Sequence, residues 1–300
     1  MILFGLLVAV FDVSASGAGF IGPPTAELDQ GQWNAGFNYM YSEMGLDKTK
    51  MTESWMYHYE VPPFPDHDGS GTDIYKMEID NVKTQRYYGT IGYGLKDSWE
   101  VYVQLGIADV KARTRDEGES MWDGLNFDND FAWDWGTRYT FHEQGKVRWG
   151  ASVQMNWLDT CWEEKSTGEA VVGEIFDPGE VLYADTQTTT QIDWSTYDLL
   201  IAVGPTVSMG GWNLYGGPFY YMQKGDLDLK ATTTYDGVIN PGALSTTGVS
   251  TDKASGDLEV DTFGVFVGTQ CTLMDKYCMT TEFALSGEGW ALGAGVAVPF

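Results

Sequence analysis

Residues 66–73 read Asp-His-Asp-Gly-Ser-Gly-Thr-Asp, three carboxylates and two glycines within one short run. Asp66, Asp68 and Asp73, with Gly69 and Gly71 bending the chain between them, could wrap oxygens around a hard cation such as Ca²⁺. The spacing is shorter than an EF-hand loop and lacks the bidentate Glu at the twelfth position. Gly and Asp are also ordinary turn residues, so a Ca²⁺ loop and a plain turn both fit. Acidic side chains crowd two other stretches. One holds Asp116, Glu117, Glu119, Asp123, Asp128 and Asp130 against Arg115; the other holds Glu163, Glu164, Glu169, Glu174, Asp177, Glu180 and Asp185 against Lys165.

A different set of polar residues is scattered singly among apolar neighbours: Arg86, Glu100, Gln104, Asp134, Arg138, Arg148, Gln154, Asn156, Asp198 and Glu282. Unpaired buried charge is costly, so the Arg and carboxylate groups in this set read as an internally paired network. The alternative is a constriction along a narrow, mildly cation-favouring path. No serine-nucleophile motif, zinc spacing or phosphate loop occurs, and no catalytic residue is assigned. The net charge of −26 argues against nucleic acid as a partner. With 3 Cys in 300 residues there is no disulfide scaffold. Cys271 and Cys278 flank a turn with strand phases that put them on opposite faces, and Cys161 stands apart.

The elements that must carry these residues are strands. In the last eleven residues Trp290, Leu292, Ala294, Val296, Val298 and Phe300 alternate with Ala291, Gly293, Gly295, Ala297 and Pro299. A period of two means a strand, here with one large apolar face and one of small residues. Trp99, Val101, Val103, Leu105 and Ile107 likewise oppose Glu100, Tyr102, Gln104, Gly106 and Ala108. Val147, Trp149, Ala151, Val153, Met155 and Trp157 oppose Arg148, Gly150, Ser152, Gln154 and Asn156. An apolar outside with a polar or small inside is the pattern of a membrane β-barrel. About ten such strands are expected. Short turns fall near residues 96–98, 143–146, 209–211 and 274–276. Long loops are expected over residues 45–80, 114–129, 163–187 and 230–256. Aromatics, at 14% with 12 Trp and 17 Tyr, fit girdles at two membrane interfaces. No apolar run beyond the first residues is long enough for a spanning helix.

The strand–turn–strand segments over residues 89–110 and 133–157, together with the terminal strand ending in Phe300, resemble the bacterial outer-membrane β-barrel superfamily. The resemblance runs from about Gln32 to Phe300 and implies an all-β, closed antiparallel transmembrane barrel. Residues 1–18 read as a signal-peptide-like segment and residues 19–300 as one barrel domain. The resemblance further implies a Gram-negative outer-membrane location and both termini in the periplasm. It implies outer-membrane lipid and lipopolysaccharide as neighbours, and the barrel-assembly machinery as a partner reading Phe300. The acidic loops could hold divalent cations against the acidic sugars of the outer leaflet. Among ten-stranded barrels the omptins are surface proteases, but His58 and His67 lie in no recognisable omptin motif, and His142 lies beside a short turn. The expected function is a non-enzymatic barrel with acidic cell-surface loops in a structural or surface-interaction role. A porin-like channel is the alternative and an omptin-like protease a minor one.

Overall fold

The computed structural model describes residues 21–300 apart from 47, 61, 63–64, 117–122, 128, 174–180, 241–243 and 275. The signal-like segment, residues 1–18, lies wholly outside the described residues. Twelve strands form one antiparallel sheet: β1 (Trp33–Met44), β2 (Thr49–Glu60), β3 (His67–Lys96), β4 (Trp99–Asp116), β5 (Asp123–Asn126), β6 (Asp130–Gln144), β7 (Val147–Gly173), β8 (Val181–Ser208), β9 (Trp212–Asn240), β10 (Leu244–Leu273), β11 (Tyr277–Ser286) and β12 (Gly289–Pro299). Ten of them, all but β2 and β5, close a ring through β1–β12, β1–β3 and β3–β4 pairing at one end of the order and β10–β11 and β11–β12 at the other. Closure leaves no exposed sheet edge around the belt, which is what a lipid environment demands of strands. The backbone of Phe300 completes it, donating to and accepting from Trp33 at 2.8 and 3.1 Å.

Tight turns gather at one end, called proximal here, together with the N-terminal stretch and Phe300. Gly145 (φ 63°) supplies the left-handed backbone that the β6–β7 turn requires. Outward side chains mark the membrane belt. At the proximal side Trp33 lies 4.6 Å from Tyr93, and at the other side Trp133 stacks on Trp157 at 4.3 Å, while Tyr220 and Phe263 at 5.0 Å and Tyr41 and Trp290 at 5.1 Å meet at tilted angles, all centroid to centroid. From Trp149 to Trp157 on β7 the strand runs about 26 Å at ~3.3 Å per residue, which at a barrel tilt of about 40° spans roughly 20 Å along the membrane normal, close to the height of an outer-membrane apolar band. Beyond the girdle the outward residues change character at once. On β7 Trp157 gives way to Asp159, on β8 Tyr197 to Ser195 and Asp193, on β9 Tyr220 and Met222 to Lys224 and Asp226, and on β10 Phe263 to Asp261 and Glu259.

The strands do not end there, which corrects the expectation of long loops. Residues 163–173 and 181–187 form a β7–β8 ribbon paired as far as Gly173 and Val181, and residues 230–240 and 244–256 a β9–β10 ribbon paired to Ile239 and Leu244. Residues 45–80 contain β2 and the first part of β3, and residues 114–129 contain β5. Strands of 27–30 residues therefore carry the sheet well past the membrane as a distal β-tube. There β2 takes the place of the shorter β1, β11 and β12, bridging β3 to β10. At the junction β3 shifts register between Asp80 and Lys83 with Asn81 at φ 54°, a bulge that moves the inward face from Met77 and Ile79 to Val82, Thr84 and Arg86.

Candidate functional site

The lumen is filled in three layers. The proximal layer is the chain itself, with residues 21–28 inside the barrel. Glu282 on β11 accepts from the backbone N–H of Ile21 and Gly22 at 2.9 and 2.8 Å, Thr140 on β6 accepts from Ala26 N–H at 3.0 Å, and Glu100 on β4 accepts from Glu27 N–H at 2.7 Å. Arg148 on β7 donates to Ala26 O and to Glu27, both at 2.8 Å. The Thr25 and Thr206 hydroxyls bond at 2.8 Å. Glycines open the wall for this plug: a Cβ on Gly150 would strike Pro24 O and the Thr25 Cα, and one on Gly94 would strike Asp29 O. Beside the plug remains a cavity of about 240 Å³ reaching from Glu100 and Arg138 past Asn34 and Asn38 to Lys276 at the proximal rim.

The middle layer is polar at its centre and aromatic on one side. Arg86 on β3 pairs with Asp198 on β8 across the lumen at 3.0 Å, with both side chains almost wholly buried. Arg138 pairs with Glu100 at 2.7 Å and lies over the Tyr102 ring at 4.6 Å. Gln154 donates to Asp134 at 3.2 Å and to Asn156 at 3.0 Å. Arg86 Nη1, Asp134 Oδ1 and the Tyr88 hydroxyl have no hydrogen-bond partner among the described residues, and a void of about 10 Å³ beside Arg86 has room for roughly one water. Tyr215, Phe219, Tyr221 and Phe266 fill the β9–β10 side with Leu200 and Ile21. The distal layer is apolar: Met44, Met51, Met77, Ile79, Leu125, Phe127, Ile192, Trp194, Leu227 and Leu258 pack inside the tube, with Phe127 set edge-on against Trp194 at 5.5 Å.

Every residue expected in the lumen faces it. Arg86, Glu100, Asp134, Arg138, Arg148, Asp198 and Glu282 divide into the central network (Arg86, Asp134, Asp198) and the plug anchors (Glu100, Arg138, Arg148, Glu282). The partner that sequence reasoning missed is Glu27, because residues 21–28 carry no alternation to mark them as interior. Two consecutive prolines, Pro23 and Pro24, were the available signal: they remove two backbone donors from a segment that lies in a confined space. The glycine-rich lumen face is filled, with Gly136 against Tyr102, Gly264 against Phe219 and Gly268 against Tyr215.

Asp66, Asp68 and Asp73 are not gathered into one site. The segment is extended rather than turned: Asp68 is in register with His58 and Asp73 with Glu53, roughly 17 Å farther along the strand at ~3.4 Å per residue, and the two aspartates point to opposite sides. Among the described residues no group of three metal-ligating side chains occurs. Asp68 instead bonds His58 Nδ1 at 2.6 Å on the outer wall, while His58 Nε2 meets Glu60 at 3.5 Å. The Asp68 hydrogen bond, seconded by Glu60, raises the imidazole above its ordinary value. A ring flanked by carboxylates at both nitrogens favours imidazolium, which is no general base. The three cysteines are free, with Cys278 facing the cavity and Cys271 the outside.

A closed ring of ten strands with aromatic girdles and an apolar outer belt settles the architecture. The chain has the outer-membrane β-barrel fold. No family model and no curated protein matches it. Among solved structures it is similar to the outer-membrane protease OmpT of Escherichia coli (10% identity, TM-score 0.39, covering 90% of this chain and 97% of that one). It is also similar to an outer-membrane channel of Pseudomonas putida F1 (12% identity, TM-score 0.30, 91% and 97%) and to OprG of Pseudomonas aeruginosa (9% identity, TM-score 0.27, 91% and 97%). At these identities and scores the likeness is one of architecture alone.

Proposed function

We propose that this protein is a non-enzymatic outer-membrane barrel that is shut to solutes and displays its distal β-tube at the cell surface as an interaction element. The short turns and both termini then lie in the periplasm, and the acidic outer wall meets the lipopolysaccharide layer. Divalent cations would bridge that wall to the anionic sugars. The observation that carries the reading is the series of three closures in one lumen: plug, Arg86–Asp198 network and apolar distal layer. A non-enzymatic role is supported by the outer-wall position of the His58–Asp68 pair and by the carboxylates at both its ring nitrogens.

A narrow channel is the second reading, favoured by the 240 Å³ proximal cavity and by a plug held mainly through hydrogen bonds that water could replace. Conductance of the refolded protein in a planar bilayer decides between them. The shut barrel is electrically silent, and remains so when Gly150→Val unseats the plug, because two further layers stand above it. Cation-selective steps in the unaltered protein, or steps that appear on unseating the plug alone, overturn the shut-lumen reading.

A further inference from the structure

Above the apolar layer the tube holds a vestibule of about 480 Å³, within the size range of small-molecule sites. It stands where a strand is missing. β6 stops pairing with β4 at Asp130 and with β7 at Leu158; beyond that β4 pairs with β5, and the facing edge of β7 has no strand partner among the described residues. The floor is made of buried Met77, Leu125 and Ile192, and the walls include Tyr75 and Trp162. One carboxylate, Glu164 on β7, lines the space and makes no hydrogen bond or ion pair among the described residues. The cation at the rim, Arg115, is already engaged by Glu78 of β3.

Among the described Asp, Glu, Lys and Arg residues, those turned into the rest of the tube are acidic. Alternation from buried Met51 and Met77 turns Glu53 and Asp73 inward, and the register with Trp55 turns Asp252 inward with them. Trp55, Tyr57 and Tyr59 line the same face, with successive ring centroids 5.9 and 5.4 Å apart. Aromatic faces and carboxylates both attract ammonium groups, and the chain's charge of −26 favours any cation over an anion at its surface.

We propose that this vestibule binds a small amphipathic cation, an aromatic or alicyclic body carrying an ammonium group. The body rests on Met77, Leu125 and Ile192 and the ammonium turns toward Glu164. The proposal builds on the shut-lumen reading, which makes the vestibule a dead-end site rather than an entrance.

The test uses the full chain in phosphatidylcholine nanodiscs, with empty discs subtracted, and three probes of one shape: 1-naphthylmethylammonium, 1-naphthylmethanol and 1-naphthoate. Calorimetric titration should show one saturable site with the cation at least about tenfold tighter than the neutral alcohol and the anion weakest. Glu164→Gln should erase the preference for cation over alcohol while leaving alcohol binding in place. Glu164→Lys, at an exposed position that tolerates either charge in folding, should invert it toward 1-naphthoate. Thr190→Trp, which fills the space, should abolish binding of all three. Equal binding of the three probes, or a charge preference unmoved by both Glu164 variants, overturns the proposal. Conductance is read separately on the same preparation, so an open lumen with an intact charge preference refutes the shut-lumen reading alone.

Discussion

Replacing Arg86 by Met removes the cation paired with Asp198 and leaves the Asp198 carboxylate facing Tyr221 and Gln223 in a site closed to solvent. Two unit charges about 4 Å apart attract by about 4 kcal/mol at an effective dielectric near 20, and the observed 3.0 Å contact lies at the strong end of that scale. Removing one partner of such a pair costs about 3–5 kcal/mol, because the survivor is stranded without its counter-charge. Arg86→Met alone should therefore destabilise the barrel by roughly that amount. Arg86→Met combined with Asp198→Leu, which removes both members of the pair while Asp134 keeps its hydrogen bond from Gln154, should recover most of that loss, to within about 1–2 kcal/mol of the parent. Asp198→Leu alone strands the Arg86 guanidinium and should cost a similar amount, about 3–5 kcal/mol, so the coupling energy between the two positions would be about 4 kcal/mol or more, far above the additive limit of ~0.5 kcal/mol. Equilibrium guanidinium unfolding in phospholipid vesicles, followed by tryptophan fluorescence, measures all three variants. A single substitution costing under about 1 kcal/mol, or a double substitution equal to the sum of the singles, refutes the claim that this pair seals the lumen as a unit.

Lys at Val103 or Val153, in the lipid-facing belt, should cost about 2–4 kcal/mol by the same unfolding assay. Lys at Asn38, which lines the proximal cavity, should cost clearly less, and equal costs would reject the facing assignment. The His58 imidazole should titrate above 6.5 by NMR, and Asp68→Asn should bring it down. Because the folded-state value is raised, the contribution of the pair to the β2–β3 wall is present below the unfolded value and lost as pH rises through the folded one; a wall that tightens with rising pH over that window would contradict it. Phe300→Ala should slow assembly into membranes without lowering equilibrium stability, since its side chain is 74% exposed and its pairing with Trp33 is made by backbone. Unchanged assembly kinetics would remove Phe300 as a signal.

The membrane belt was legible because lipid imposes a rule on every second residue: Val103, Leu105 and Ile107 must be apolar wherever they face acyl chains, so alternation survives in the sequence. The distal tube obeys no such rule. Around residues 186–190 and 231–235 both faces meet water or other threonines, as where Thr188 bonds Thr233 at 2.9 Å, and with no face to distinguish the period of two disappears. Those strands read as loops for that reason alone. The lumen pairs were legible as a set, since isolated Arg and Asp within apolar strands must find each other. Their partners were not, because Arg148 meets Glu27 across 121 residues of chain. The aspartates of residues 66–73 misled in the opposite direction: composition suggested a turn, whereas pairing with β2 holds them extended.

The order of the three lumen layers bears on where function can reside. A barrel of ten strands encloses more space than side chains of ordinary size fill, and each layer here fills it by a different means: a returning backbone, a charged network with aromatics, and an apolar core. The first is held by hydrogen bonds from the wall to backbone N–H and carbonyl groups of Ile21, Gly22, Ala26 and Glu27 and by the Arg148–Glu27 ion pair, at the end of the barrel nearest solvent, so water entering as it withdraws can solvate the charges it leaves on Arg148 and Glu282. The second cannot be relieved in this way, because withdrawing Arg86 leaves Asp198 unpaired. The third exposes Met77, Ile192 and Leu227 to water if it opens, at about 25 cal/mol per Å² of apolar surface. Mobility is thus cheapest at the proximal end and most costly in the middle and distal layers. In a protein built this way the plug can adjust while the centre of the barrel stays fixed, so a change at the proximal end need not reach the distal vestibule and the two ends can act independently of each other.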